Sequence, residues 1–253
     1  MIFETKELSI GYSGKTVVSG INVSLKKGEI LSVIGPNGSG KSTFLKTVSG
    51  QLAPIKGDVL IDGKKLSLIK SEELSKSVSL LLTDRIKPEY MTARELIESG
   101  RYPYTGRFGI LSDEDRKKAD EIIELTGTAY LSDRLYCSLS DGEKQRILFA
   151  RALCQEPELL IMDEPMSYLD IKYKLEMVDI IKQLCLENGV SVIMSVHEVF
   201  LAGKISDRIL SFKNNKIFRY GDPEDVFKDE IIMELYDIDE KAYSLIKSGY
   251  VLE

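Results

Sequence analysis

The chain has 253 residues, enough for one large domain or two small ones with a sizeable core. Charged residues make up 29% and hydrophobic residues 43%, the balance of an ordinary globular protein. The formal net charge of −6 argues against a nucleic-acid partner, because neutralising phosphates takes a basic surface.

No apolar run approaches the ~20 residues that span a bilayer, and "MIFETKELSI" lacks the basic flank and apolar core of a secretory signal. Cys137, Cys154 and Cys185 have no CxxC spacing and read as reduced thiols of a cytosolic protein. With one histidine, His197, no structural zinc site is expected. "HEVFL" also lacks the second histidine of HExxH.

In chain order, "FETKELSIGY" and "TVVSGINVSL" carry β-branched and alternating apolar residues and predict strands joined by a "SGK" turn. "GEILSVIG" predicts a short buried strand, and "KSTFLKTVSG" a helix stopped at Gly50. "KGDVLIDGKKL" predicts a hairpin turning at "DG". "SVSLLLTDR" reads as a strand leaving the core. From about residue 85 to 155 the spacing is helical without convincing strands. Ser112 precedes the acids Asp113, Glu114 and Asp115, which favour a helix N-terminus. "ELLIMD" is then a strand. "IKYKLEMVDIIKQLCLENG" is an amphipathic helix, apolar at Ile171, Leu175, Val178, Ile181 and Cys185 and stopped at "NG". "VSVIMSVH" and "RILSFKNNKIFRYG" predict further strands. The helical block is thus an insertion into one α/β domain.

"GPNGSGKST", Gly35, Pro36, Asn37, Gly38, Ser39, Gly40, Lys41, Ser42 and Thr43, matches G-x-x-x-x-G-K-[ST] between a strand and a helix. Its glycines let backbone N–H groups turn inward at the positive end of a helix and meet a phosphate. Lys41 can reach β- and γ-phosphates, and the Ser42 hydroxyl suits Mg²⁺. "LLIMDEP" ends a strand in two acids. Asp163 sits where a carboxylate holds Mg²⁺, and Glu164 where it polarises a water. "LSDGEKQR" opens a helix as a capping box, Ser140 with Glu143. The Ser140 hydroxyl and the Gly142 N–H at that helix N-terminus also make an anion site.

Together, "GPNGSGKST", "LSDGEKQ", "LLIMDEP", "SYLD" and "SVHE" resemble the ATP-binding cassette ATPases over essentially the whole chain. "ESGRYPYTG" followed by "LSDEDRKKADEII" resembles, within that family, the ATPases of iron-chelate, haem and cobalamin importers. The resemblance implies an α/β fold with a P-loop (RecA-like) core over 1–84 and 156–253. It implies an N-terminal antiparallel β subdomain in that core and an inserted helical subdomain over 85–155. It implies ATP and Mg²⁺ as ligands, with Tyr12 stacking on adenine. It also implies a head-to-tail dimer in which Leu139–Glu143 serves the partner copy's nucleotide, with Asp170 in the loop that signals across it. A lone histidine is ordinarily structural, but the resemblance makes His197 the switch that contacts the γ-phosphate. Integral membrane permease subunits, a separate solute-binding protein and a place on the cytoplasmic face of the inner membrane follow from the importer resemblance.

Two positions depart from the family pattern. Asp141 replaces a glycine, and Thr83 stands where a glutamine is usual, with Asp84 beside it as an alternative metal ligand. Two other readings stand beside the importer: a soluble cassette ATPase in iron–sulfur cluster assembly or DNA repair, and a cassette that binds ATP without hydrolysing it.

Overall fold

The structure is a computed structural model that describes residues 1–82, 88–106 and 108–249. Its strands are β1 (Phe3–Tyr12), β2 (Lys15–Ile21), β3 (Ser24–Leu25), β4 (Ile30–Ile34), β5 (Lys56–Ile61), β6 (Lys64–Lys65), β7 (Val78–Leu81), β8 (Leu159–Met162), β9 (Ser191–Ser195), β10 (Arg208–Lys213) and β11 (Lys216–Gly221). The α-helices are α1 (Lys41–Val48), α2 (Ser71–Ser77), α3 (Ala93–Glu98), α4 (Asp113–Leu125), α5 (Asp141–Cys154), α6 (Ile171–Asn188), α7 (Val199–Ile205), α8 (Pro223–Val226), α9 (Asp229–Tyr236) and α10 (Glu240–Gly249). The chain divides into two units, 1–68 with 191–253, and 69–190.

The first unit holds an antiparallel sheet in the order β2-β1-β5-β6, with β3 also on β1. Asp62 and Gly63 both take positive φ at the β5–β6 turn, as a tight "DG" hairpin requires. β4 is buried along its whole length, and its Ile, Leu and Val residues on both sides of Ser32 fit a strand covered on both faces. It pairs in parallel with β9 (Val33 opposite Ser195) and with β10 (Ser211 opposite Ile34), and β11 returns antiparallel to β10. α1 leaves the end of β4, with the Phe44 ring edge-on to Phe212 at 5.7 Å.

In the second unit β7 and β8 pair in parallel, Leu81 opposite Met162. Thr92, Ser112 and Ser140 each cap a helix through a complete capping box. Arg101, buried, ties the helices together: it reaches Asp115 at 3.0 Å, the Cys154 carbonyl at 2.9 Å and Glu156 at 2.6 Å. Burial pushes the neighbouring Cys154 thiol up to about 12, so it behaves as a small apolar residue.

Two sequence expectations need correction. The apolar stripe of α6 is buried only at Met177, Val178, Ile181 and Cys185. Ile171 (70% exposed) and Leu175 (49%) stand in solvent, because spacing shows which residues share a helix face but not where the neighbouring element ends. The segments forming α2 and α7 to α10 carried no helical expectation. They are short, and α2 has no buried residue to betray a periodic stripe.

Candidate functional site

The phosphate-loop sequence lies between β4 and α1, as the motif requires. Gly35 has φ 138°, and a Cβ there would stand 2.1 Å from the Phe212 carbonyl oxygen, so only glycine fits against β10. The Lys41 side chain is buried, and its ammonium donates to the carbonyls of Gly35 (2.8 Å) and Pro36 (3.1 Å). Ser39 is 4% exposed, and its hydroxyl has no hydrogen-bond partner. A buried hydroxyl left unpaired is costly unless a ligand takes it up. A cation and an unpaired donor in one tight loop are the donor set a phosphate oxyanion satisfies. Asn37, Gly38 and Ser42 are exposed, and Gly40 caps α1 with φ 113°.

Tyr12 and His197 belong to the same unit. Tyr12, 48% exposed, accepts a hydrogen bond from Thr43 at 3.4 Å, which brings its ring beside the first turn of α1. The Val196 N–H donates to the Val33 carbonyl, so the chain leaves β9 alongside β4. His197, exposed, therefore emerges at the same sheet end as Gly35. That end, beyond the carboxyl ends of parallel strands, is where open α/β sheets place ligands.

In the second unit Asp163 follows β8, is 4% exposed, and its N–H donates to the Leu81 carbonyl at 2.8 Å. Glu164 has φ 51°, a left-handed conformation that is uncommon for a side-chain-bearing residue and clusters at functional sites. The Ser167 hydroxyl lies 3.4 Å from its carboxylate. Gln145 of α5, buried, donates to the Pro165 carbonyl at 2.9 Å.

The Ser140 N-cap bonds reciprocally with Glu143. Its hydroxyl accepts from the Glu143 N–H at 3.3 Å and donates to the Glu143 carboxylate at 2.8 Å, and its own N–H donates to that carboxylate at 2.7 Å. These bonds, the Ser140 backbone N–H first and the Arg134 guanidinium at 2.7 Å among them, hold the Glu143 carboxyl below the usual range. Gly142 has a packing reason as well: a Cβ there would meet the Tyr168 carbonyl oxygen at 2.9 Å. Asp170 caps α6, accepting from the Tyr173 N–H at 3.0 Å. Thr83 and Asp84 lie outside the described residues.

Sequence reasoning missed Gln145 and Tyr236. The Tyr236 hydroxyl accepts the Gly35 N–H at 3.2 Å. The final Gln of "LSDGEKQ" was a signal for the first, and nothing local marks the second.

A model of the ABC transporter family matches residues 18–167, more than half the chain. An ABC transporter ATP-binding protein of Methanocaldococcus jannaschii is 43% identical over 100% of this chain and 87% of its own length. The iron(3+)-hydroxamate import ATP-binding protein FhuC of Bacillus subtilis is 35% identical over 93% of this chain and 87% of its own. The ferric enterobactin transport ATP-binding protein FepC of Escherichia coli is 30% identical over 92% and 86%. Among solved structures, a dimeric ATP-binding cassette in a post-hydrolysis state, bound to ADP and Pi, superposes with a TM-score of 0.78 at 27% identity, covering 87% of this chain and 98% of that one. The chain belongs to the ABC transporter family, as one of its ATP-binding, ATP-hydrolysing cassettes. Its α/β P-loop architecture is the cassette fold. No helix among the described residues is long and apolar enough to cross a membrane.

Proposed function

We propose that this chain is the energy-coupling ATPase of an importer for iron chelates of the siderophore, haem or cobalamin type. The observation that carries the reading is the phosphate loop, where the buried Lys41 ammonium and the unpaired Ser39 hydroxyl fit a nucleotide phosphate. The names of the siderophore-import relatives supply the cargo class and favour an importer over iron–sulfur assembly.

The roles follow from the chemistry of the side chains and, for Tyr12 and His197, from the resemblance to the cassette family. Tyr12 stacks on the adenine. The loop amides that remain after Pro36, which has none, and Gly35, whose N–H goes to Tyr236, bind the phosphates, and Lys41 screens their charge. The Ser42 hydroxyl and the Asp163 carboxylate are hard oxygen donors and fit Mg²⁺, which when bound neutralises phosphate charge. Glu164 takes the proton of the attacking water, and His197 donates to the γ-phosphate oxygens and orients them. Thr83 or Asp84 completes the metal contact. Comparing Asp84→Ala with Thr83→Ala for the Mg²⁺ concentration giving half-maximal rate identifies which.

The functional unit is a head-to-tail dimer in which Ser140, Gly142 and Glu143 serve the nucleotide of the second copy. The domain limits are those of the family, with a helical subdomain over 85–155 inserted into a core of 1–84 and 156–253. The dimer docks on integral permease subunits at the cytoplasmic face of the inner membrane, fed by a solute-binding protein.

The test is reconstitution in vesicles with a polytopic permease of an iron-chelate importer from the same genome. ATP-dependent uptake of a ferric siderophore, lost in the Glu164→Gln variant, is expected. ATP hydrolysis that no permease stimulates would discard the importer reading.

A further inference from the structure

Gly35 opens the phosphate loop, and two groups fix its peptide. On one side the Phe212 carbonyl stands where a Cβ would be. On the other, the Gly35 N–H donates to the Tyr236 hydroxyl at 3.2 Å, across 201 residues of sequence. Tyr236 is the last residue of α9, and that helix end is itself anchored. Lys213, at the end of β10 with its side chain 14% exposed, donates to the Glu234 carbonyl and reaches Asp237 at 2.6 Å. A cation among the last carbonyls of a helix suits the negative end of its dipole.

The C-terminal helices also hold a second part of the same sheet end. Tyr243 of α10 bonds Asp229 at 2.7 Å, and Lys247 reaches the same carboxylate at 2.8 Å. The Tyr243 ring lies 6.0 Å from that of Phe200. Phe200 is in α7, which begins two residues after His197. Gly203 of α7 faces the Phe227 ring, which an added Cβ would meet at 3.2 Å. The tail thus touches the first peptide of the loop and the helix behind His197.

We propose that Tyr236 is a positioning residue of the ATPase: its hydroxyl pins the Gly35 peptide, fixing the start of the loop whose later amides face the phosphates, and couples the C-terminal helices to nucleotide affinity. The inference rests on reading residues 35–43 as the phosphate loop. A site that binds an anion through backbone amides works best when those amides are fixed before the ligand arrives. Burial pushes the phenol up to about 12, so it stays a neutral acceptor at any physiological pH.

The test uses the full chain and titration calorimetry with ATP and, separately, ADP. Tyr236→Phe keeps the ring and removes only the hydroxyl. It should weaken both nucleotides about fivefold, the order of one buried amide losing its partner. kcat at saturating ATP should stay unchanged, because Gly35 lies at the base of the loop. Unchanged affinities overturn the proposal, including when the melting temperature falls, since the contact is then only structural. Lys41→Ala is run beside it. If that variant binds ATP normally, the loop reading itself fails. If it loses ATP while Tyr236→Phe does not, only the Tyr236 proposal fails. Should Tyr236→Phe not fold, hydrogen exchange of the wild-type Gly35 amide decides: protection upholds the contact, and exchange at the unfolded rate overturns it.

Discussion

Gln145 donates from its buried side-chain amide to the Pro165 carbonyl at 2.9 Å, joining the helix that opens with Ser140 to the turn that carries Glu164. A hydrogen bond fixing the peptide beside Glu164, our proposed general base, acts on geometry, and small misplacements of a reacting group slow chemistry steeply. Gln145→Leu should therefore lower kcat about tenfold, the scale of one lost hydrogen bond at ~1.4 kcal/mol, and leave the KM for ATP near wild type. A raised KM with intact kcat would assign Gln145 to nucleotide binding instead.

Lys41→Ala removes the buried ammonium from the loop. ATP and ADP should both bind too weakly to titrate, while circular dichroism stays native. Wild-type ATP affinity in this variant would show that residues 35–43 are not the phosphate site.

Glu164→Gln keeps the shape of the side chain and removes its basicity. The rate should fall by roughly 10²–10⁴ with ATP affinity retained, and the dimer fraction on gel filtration with ATP should rise. Full turnover would move the general base elsewhere.

His197→Ala should cut hydrolysis strongly and spare ADP binding, because ADP lacks the phosphate that we propose the imidazole contacts. Equal losses for both nucleotides, or a lower melting temperature with normal activity, would return His197 to a structural role.

Glu143→Ala probes the cap of α5. The folded-state carboxyl is held down by the Ser140 N–H, so its contribution is present above the unfolded pKa and is lost as pH falls through the folded value. The variant should lose about 1 kcal/mol of stability at neutral pH, the usual worth of a helix cap, and the gap should close in acid. A gap that stays constant down to strongly acidic pH would show that the carboxylate charge is not what stabilises the cap.

The parts of the site that were legible in the sequence are contiguous ones. Gly35 to Thr43 and the Ser140–Glu143 cap need only a strand, a turn and a helix start, and local spacing reports those directly. Gly142 shows the limit. Its sequence context suggested an anion site, while the approach of the Tyr168 carbonyl comes from a separate segment. Tyr236 was invisible for the same reason, since its partner is brought to it only by folding. The exposed Ile171 and Leu175 fit a helical period yet stay outside the core, because period cannot tell a buried stripe from one left open.

The left-handed backbone at Glu164 bears on how this protein could be engineered or could drift. A glycine there would relieve about 1 kcal/mol of steric strain. A screen that rewards heat resistance alone would therefore favour Glu164→Gly while discarding the carboxylate. Selection for turnover has to oppose that trend continuously, so an inactive descendant of this sequence should show this position decaying to glycine early, before the core does.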